Sequence, residues 1–423
     1  MNYKLQNIAT GRIFEDTGWL LADPQYDKLS LIRALYEKNK IDFGDPSLGI
    51  YRFADWLPVH RFLKRSSATV TYKSVGLAKH LGLDNLYISF SGYWPEKGAN
   101  MTTCSFKETE AYSVCGRLPE KSGKVLVVAS AGNTARAFSR VCSENNIPLL
   151  VVVPFDNLDA MWFESELSDC VKLVCTPAGS DYFDAIDLSN KICKSLKFIE
   201  EGGARNVARR DGMSTTVLSA AEFIGAIPDY YFQAIGSGTG TIAAWEANLR
   251  LIQDGRFGNH KMKLFPSQNI PFTPMHDSWK ADSRNIVFED EAKAKIDALT
   301  IDAKVLSNRR PPYGVAGGLY DALKDCGGDI EIVDNLQLRK ACELFFETEG
   351  NDIHPAAGVA LAGMIKSIES GKIDKSKNLM LNITGGGENR FKSEKKLIYK
   401  TPDLVIDNNT DIEIILKSAE SLF

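Results

Sequence analysis

Histidine is scarce, five in 423 residues, and none stands near a cysteine at metal-ligand spacing. The eight cysteines fall singly, at 104, 115, 142, 170, 175, 193, 326 and 342, with no Cys-x2-Cys pair. No metal site is expected, and the scattered thiols read as reduced and mostly buried, as in a cytoplasmic protein. No apolar run approaches the roughly 20 residues that span a bilayer, so no membrane partner is expected. The opening MNYKLQNIATGRIFEDTGW lacks the basic-then-apolar layout of an export signal, and the expected location is the cytoplasm. An excess of positive charge is missing as well. With 50 Lys and Arg against 54 Asp and Glu, the net charge of −4 argues against nucleic acid or an anionic membrane as partner. It leaves room for a local arginine cluster that binds a small anion.

What is present is an ordinary globular composition, 44% hydrophobic and 25% charged, on a chain longer than one core usually serves. Short continuous β-branched runs, each closed by Pro, Gly or a polar turn, read as buried parallel strands with helices between them. LYISF (86–90), VLVVAS (125–130), LLVVVP (149–154), VKLVCT (171–176), YYFQAIG (230–236), KMKLFPS (261–267), IEIVD (330–334) and NLMLNI (378–383) are of this kind. The expected fold class is α/β. Residues 1–118 are expected to form an N-terminal extension and the first part of a larger domain. Residues 119–228 form a smaller α/β domain, and 229–423 the rest of the larger one.

Four segments could carry chemistry. In GSGTGT (236–241) a strand runs in and a helix, expected from Ile242 to Ile252, runs out, which gathers backbone N–H groups at one spot and suits a phosphate. A dinucleotide fold would need an acidic residue after the next strand, where Phe265-Pro266-Ser267-Gln268 stands instead. A plain tight turn remains the alternative. Lys107 follows Ser105-Phe106 at a helix start, where the dipole favours its neutral amine, the form that condenses with a carbonyl. On its own it would read as a solvated surface lysine. Ser130-Ala131-Gly132-Asn133-Thr134 at a strand-to-helix junction can hold a carboxylate, or simply cap the helix. Thr384 before three glycines offers a neutral hydroxyl with unobstructed access, unless the segment is only a Gly-rich turn.

In this order and spacing the four segments resemble the fold-type II pyridoxal-phosphate (PLP) enzymes, the group of tryptophan synthase β, cysteine synthase and threonine synthase. The resemblance implies a two-domain fold with parallel sheets, helices on both faces and an active site in the interdomain cleft. It implies that Lys107 carries pyridoxal 5′-phosphate as a Schiff base and that Asn133 bonds the cofactor's phenolate. Gly236, Ser237, Gly238, Thr239 and Gly240 would cradle its phosphate, and Thr384 would face its ring nitrogen. Ser130, Ala131, Gly132 and Thr134 would bind substrate. Glu349-Gly350 with Pro355-Ala356-Ala357 is similar to a helix junction of the group.

Within the group, Arg52–Pro58, Thr71–Ser74, Tyr87–Phe90, Gly92–Gly98 and Cys104–Glu108 resemble the cysteate synthase family, a threonine-synthase-like branch whose product serves coenzyme M. This implies a β-replacement in which phosphate leaves O-phospho-L-serine and sulfite takes its place, in a cytoplasmic homodimer. Two anionic co-substrates call for cations, and Lys97, Arg136, Arg309, Arg310 and Arg390 are the candidates. Arg309 and Arg310 precede a stiff Pro-Pro pair, and Arg205, Arg209 and Arg210 form a further basic cluster. The residues after Lys107 read Glu-Thr-Glu, not the Asp-Arg-Gly of threonine synthases. Threonine synthase, a diaminopropionate-type synthase and, on another fold, an NAD-dependent oxidoreductase are the alternatives.

Overall fold

The buried apolar runs assemble into two parallel sheets in the computed structural model, which describes residues 2–120, 123–130, 132–287 and 290–423. The larger sheet has six strands in the spatial order Glu331–Val333, Lys263–Asn269, Tyr230–Ala234, Asn378–Ile383, Asn85–Phe90 and Val70–Lys73. Every pairing is parallel except the last, where Val70 lies opposite Phe90. Parallel strands covered on both faces have no solvent side, which is why these runs carry no polar alternation.

The second sheet has five strands in the order Phe198–Glu200, Val125–Ala129, Leu149–Pro154, Val171–Thr176 and Leu404–Val405, all parallel. Its last member comes from the C-terminal segment that the sequence placed with the larger unit. Leu404 pairs with Val174, and the helix Ile412–Glu420 packs on the helix Tyr182–Ile192. Ile406, Ile415 and Ala419 join the apolar cluster of this sheet, so the chain's end returns to the smaller sheet to cover one of its faces.

Residues 3–36, which show no period in the sequence, contain a three-stranded antiparallel sheet of Tyr3–Asn7, Ile13–Phe14 and Ile32–Tyr36. Its buried face, with Tyr3, Leu5, Ile32 and Ala34, packs on Val207, and polar contacts to buried carboxylates fasten it further. Tyr36 donates to Asp211 at 2.6 Å, and Arg33 to Glu246 at 3.2 Å. All eight cysteines are free thiols. Among the described residues no helix is long and apolar enough to cross a membrane, and no three metal-ligating side chains cluster.

What positions the site is strand direction. Tyr230–Ala234 and Asn378–Ile383 are neighbours, so the glycine turns that follow them emerge side by side. Val125–Ala129 delivers Ser130 from the other sheet. In open α/β sheets, ligands bind where the carboxyl ends of strands open onto such a crevice.

Candidate active site

A cavity of about 600 Å³ lies between the two sheets, and the four segments meet in it. Lys107, Ser130, Gly132, Asn133, Thr134, Gly236 through Gly240 and Thr384 all line it. Ala131 lies outside the described residues.

Lys107 begins the helix Lys107–Arg117, and the loop before that helix is tied down on both sides. Glu108 is fully buried and accepts from the Thr103 amide at 2.7 Å, the Thr103 hydroxyl at 2.9 Å, Ser67 at 2.6 Å and Arg140 at 2.6 Å. Ser105 bridges to Gly385, and the Phe106 amide donates to the Thr384 carbonyl at 2.9 Å. The bridge puts the Lys107 backbone beside the Thr384 turn. The lysine side chain is 21% exposed and turned to the cavity, with Nζ 3.1 Å from Glu110 Oε2. Burial pulls its ammonium below the ordinary lysine range; Glu110 opposes the shift and Arg209 adds to it.

Opposite stands the helix Thr239–Asp254. It begins three residues earlier than its apolar pattern suggests, because Gly238 adopts φ +76° and turns the loop directly into the helix. No side chain caps this end. The first amides of a 16-residue helix therefore open onto the cavity with the positive end of its dipole behind them, apart from Thr239 N, which reaches Ser237 Oγ at 3.3 Å. Gly240 is needed for a close approach, since a Cβ there would lie 2.4 Å from the buried Gln233 amide.

Asn133 opens the helix Asn133–Glu144, and its Oδ1 accepts from Arg136 Nη2 at 3.0 Å. Fixing the carbonyl oxygen leaves the amide N–H groups for the cavity. Arg136 is fully buried behind it, donating also to Ala160 O at 2.8 Å and Thr103 O at 3.0 Å, with its guanidinium 4.0 Å from the Trp162 ring centroid. Arg136 was expected to touch substrate. The structure corrects this: it does not line the cavity and holds Asn133 instead.

Three more expected cations are elsewhere. Lys97 is exposed and packs on Tyr72 at 4.0 Å and Trp94 at 4.9 Å. Arg390 is bound by Glu96 through two 2.6 Å contacts. Arg309 donates to Asp181 at 2.7 Å and is outside the lining, whereas Arg310 is in it. The Pro-Pro pair fixes only one of the two arginines toward the cleft. Arg205 and Arg209 do reach the cavity, but each carries a carboxylate: Glu200 at 2.6 Å on Arg205, and Glu201 at 2.8 and 2.6 Å on Arg209. Arg210 is buried on Glu246 at 2.9 Å.

Sequence reasoning missed Glu110, Glu201, Tyr182 and His354. His354 lines the cavity, donates its amide to Gly385 O at 3.0 Å and places Nε2 2.9 Å from Glu388. The Pro355-Ala356-Ala357 junction was its signal. Trp56 and Trp94, part of the distinctive segments, are core residues: Trp56 donates to Lys38 O, and Trp94 packs edge-on against Phe90 and Tyr72.

This donor set fits a phosphorylated aldehyde. A half-buried amine with a depressed ammonium range faces, across one cavity, an uncapped helix N-terminus that can take a phosphate. Between them lie an oriented amide and a neutral hydroxyl.

Comparison with known proteins agrees. The family described as "Pyridoxal-phosphate dependent enzyme" matches residues 73–385. The chain is 47% identical over 382 residues to the cysteate synthase of Methanosarcina acetivorans, covering 90% of this chain and 91% of that one. It is 47% identical over 395 residues to the cysteate synthase of Methanocella paludicola, covering 92% of each. With that of Methanosarcina barkeri the identity is 44% over 98% of both chains. Among solved structures, maize serine racemase superposes with a TM-score of 0.59 at 13% identity, covering 84% of this chain and 92% of that one. The serine racemase of Dictyostelium discoideum gives 0.56 at 18% identity, covering 76% of this chain and 92% of that one. At such identities these neighbours speak for the fold alone.

Proposed function

The chain belongs to the pyridoxal-phosphate-dependent enzymes and, among them, to the cysteate synthases; from that premise we propose that it joins O-phospho-L-serine to sulfite, releasing phosphate and L-cysteate. The observation that carries the reading is identity near 47% across nine-tenths of both chains with proteins of that name. The cavity agrees with it.

The cofactor is pyridoxal 5′-phosphate, and when bound it supplies an electron sink next to the substrate's α-carbon. The chain's own groups do the rest. Lys107 holds the cofactor through its amine and, once freed by the incoming amino acid, takes the Cα proton and later returns it. The amides of Gly236 through Gly240 hold the cofactor's phosphate, and Asn133, oriented by Arg136, donates to its phenolate. Thr384, on the cavity lining, would offer the ring nitrogen a hydroxyl and no charge, an arrangement that would suit loss of a β-leaving group. The segment Ser130–Thr134 takes the substrate carboxylate. Arg310 and Arg205, both on the cavity lining, are the cations assigned to the phosphate or sulfite.

The same reading makes the protein a cytoplasmic homodimer that supplies cysteate for coenzyme M. The absence of a membrane-crossing helix among the described residues is compatible with that. The decisive assay sets O-phosphoserine with sulfite beside phosphohomoserine with water. Cysteate from the first pair and no threonine from the second is the expected result; threonine alone overturns the reading. Borohydride reduction followed by peptide mapping should find the cofactor on Lys107, and a label on Lys73 or Lys97 would refute that role.

A further inference from the structure

Along one side of the cavity, starting from Lys107, runs a row of alternating charges whose other members belong to none of the four segments. It starts at Lys107 Nζ, 3.1 Å from Glu110 Oε2, one turn along the same helix. Arg209, from the helix Val207–Ile224, approaches the other oxygen of Glu110 at 3.5 Å while its fork is closed on Glu201. Glu110 is fully buried, and its Oε1 makes no hydrogen bond. Tyr182, from the helix Tyr182–Ile192, also faces the row, beside Arg209, Glu201 and Glu110. A fully buried carboxylate costs several kcal/mol unless it has work or partners to offset it. Among the described residues its direct hydrogen-bond partner is the cavity lysine.

We propose that Glu110 is a positioning residue that receives the ammonium of Lys107 whenever the amine is freed, and that Arg209 sets how strongly it does so. The inference rests on Lys107 being the cofactor-bearing amine, not on which amino acid is the substrate. The proton balance is simple. When Lys107 abstracts the Cα proton, the C–H bond breaks, an N–H bond forms, and the amine becomes an ammonium in a site that disfavours charge. Glu110 supplies the opposite charge at hydrogen-bond distance and holds the donor in place until the same proton returns to Cα. Arg209, itself committed to Glu201, draws off part of that carboxylate's field, so the lysine is not locked in its charged form. The Glu at this position, in place of the Gly of the Asp-Arg-Gly run, then has a function.

The test reads the amine directly. In apoprotein freed of cofactor, the rate at which added pyridoxal phosphate is captured on Lys107 is measured against pH by quenching with borohydride. Removing the carboxylate's charge favours the neutral amine, so Glu110→Gln should move the midpoint down by about one pH unit, a tenfold change in the amine-to-ammonium ratio. Arg209→Met should move it up. Turnover of Glu110→Gln should fall tenfold or more with KM nearly unchanged, and Glu110→Asp should recover part of both effects. An unmoved midpoint in Glu110→Gln, or shifts of the same sign in Glu110→Gln and Arg209→Met, overturns the proposal. If Glu110→Gln does not fold, the Glu110→Asp profile decides: a downward shift supports the role and a wild-type profile refutes it. Capture needs no amino-acid substrate, so a wrong substrate assignment leaves this result standing.

Discussion

Replacing Arg136 with Met asks whether the buried guanidinium orients Asn133 or merely fills space. Methionine keeps most of the side-chain length and the contact with Trp162 while removing every donor. The structure then loses three hydrogen bonds of 2.8 to 3.0 Å, to Ala160 O, Thr103 O and Asn133 Oδ1. Of these acceptors the Thr103 carbonyl is buried and the Ala160 carbonyl partly so, and a buried acceptor left unmade costs about 1–3 kcal/mol. Glu388, 3.4 Å away, keeps His354 at 2.9 Å and Lys392 at 2.7 Å, so its charge is not orphaned. The expected loss is about 3 kcal/mol, the low end for breaking a buried ionic group. A domain stable by roughly 5–15 kcal/mol survives it. Cofactor affinity should fall further than stability alone explains, because the Asn133 amide loses the contact that fixes its orientation. About 1.4 kcal/mol there is tenfold in Kd. Urea unfolding of the apoprotein and titration of the visible cofactor band measure the two effects separately. A destabilised variant with wild-type cofactor affinity would show that Arg136 supports the fold and not Asn133. A variant unchanged in both would remove the network from the argument altogether.

Gly240→Ala should weaken cofactor binding at least tenfold while leaving the apoprotein folded, because the new Cβ displaces Gln233, which accepts from Asn382 at 3.1 Å; equilibrium dialysis of the cofactor checks it. Thr384→Asp should raise the ring nitrogen's proton affinity and produce a new long-wavelength band with slower net replacement, and a wild-type spectrum with normal turnover counts against Thr384 facing that nitrogen. Glu388 is the pH probe. Burial alone would raise its carboxyl, but the hydrogen bond from His354 and the charges of Arg136 and Lys392 outweigh that and hold it well below the usual carboxylate range. A depressed folded-state value contributes stability that is complete above the unfolded value and lost as pH falls below it. Denaturant midpoints taken from pH 6 down to pH 3 should therefore fall less steeply in Glu388→Gln than in wild type, and parallel curves would refute the assignment.

The two sheets were legible because their strands are continuous β-branched runs with Gly or Pro at the ends. LLVVVP and VKLVCT match observed strands residue for residue. The placement of the glycine turns and of Lys107 at a helix start was legible because backbone geometry constrains it: an uncapped helix start and a close approach leave a trace in residue type. The N-terminal sheet was not, because its strands run only two to five residues and its partners, Val207 and the carboxylates that meet Tyr36 and Arg33, lie more than 170 residues away. Nor was the return of Leu404–Val405 to the smaller sheet, since two residues are too few to show a period.

Charge was the least legible property, for a reason the site makes plain. A guanidinium in a sequence carries no record of the carboxylate that will face it. Arg309 meets Asp181 across 128 residues of chain, and Arg390 meets Glu96 across 294, so two of the expected anion ligands are spent on the fold. Others reach the cavity only as halves of pairs, as Arg205 does with Glu200 and Arg209 with Glu201. Yet among the described lining residues Lys107, Arg205, Arg209, Lys304 and Arg310 still outnumber Glu200 and Glu201. A chain with a net charge of −4 thus presents a locally positive cleft, which low-dielectric walls focus. In the proposed reaction the cofactor phosphate, the departing phosphate and the incoming sulfite are all anions, and the cations that line the cavity come from segments whose order in the sequence gives no hint of the meeting.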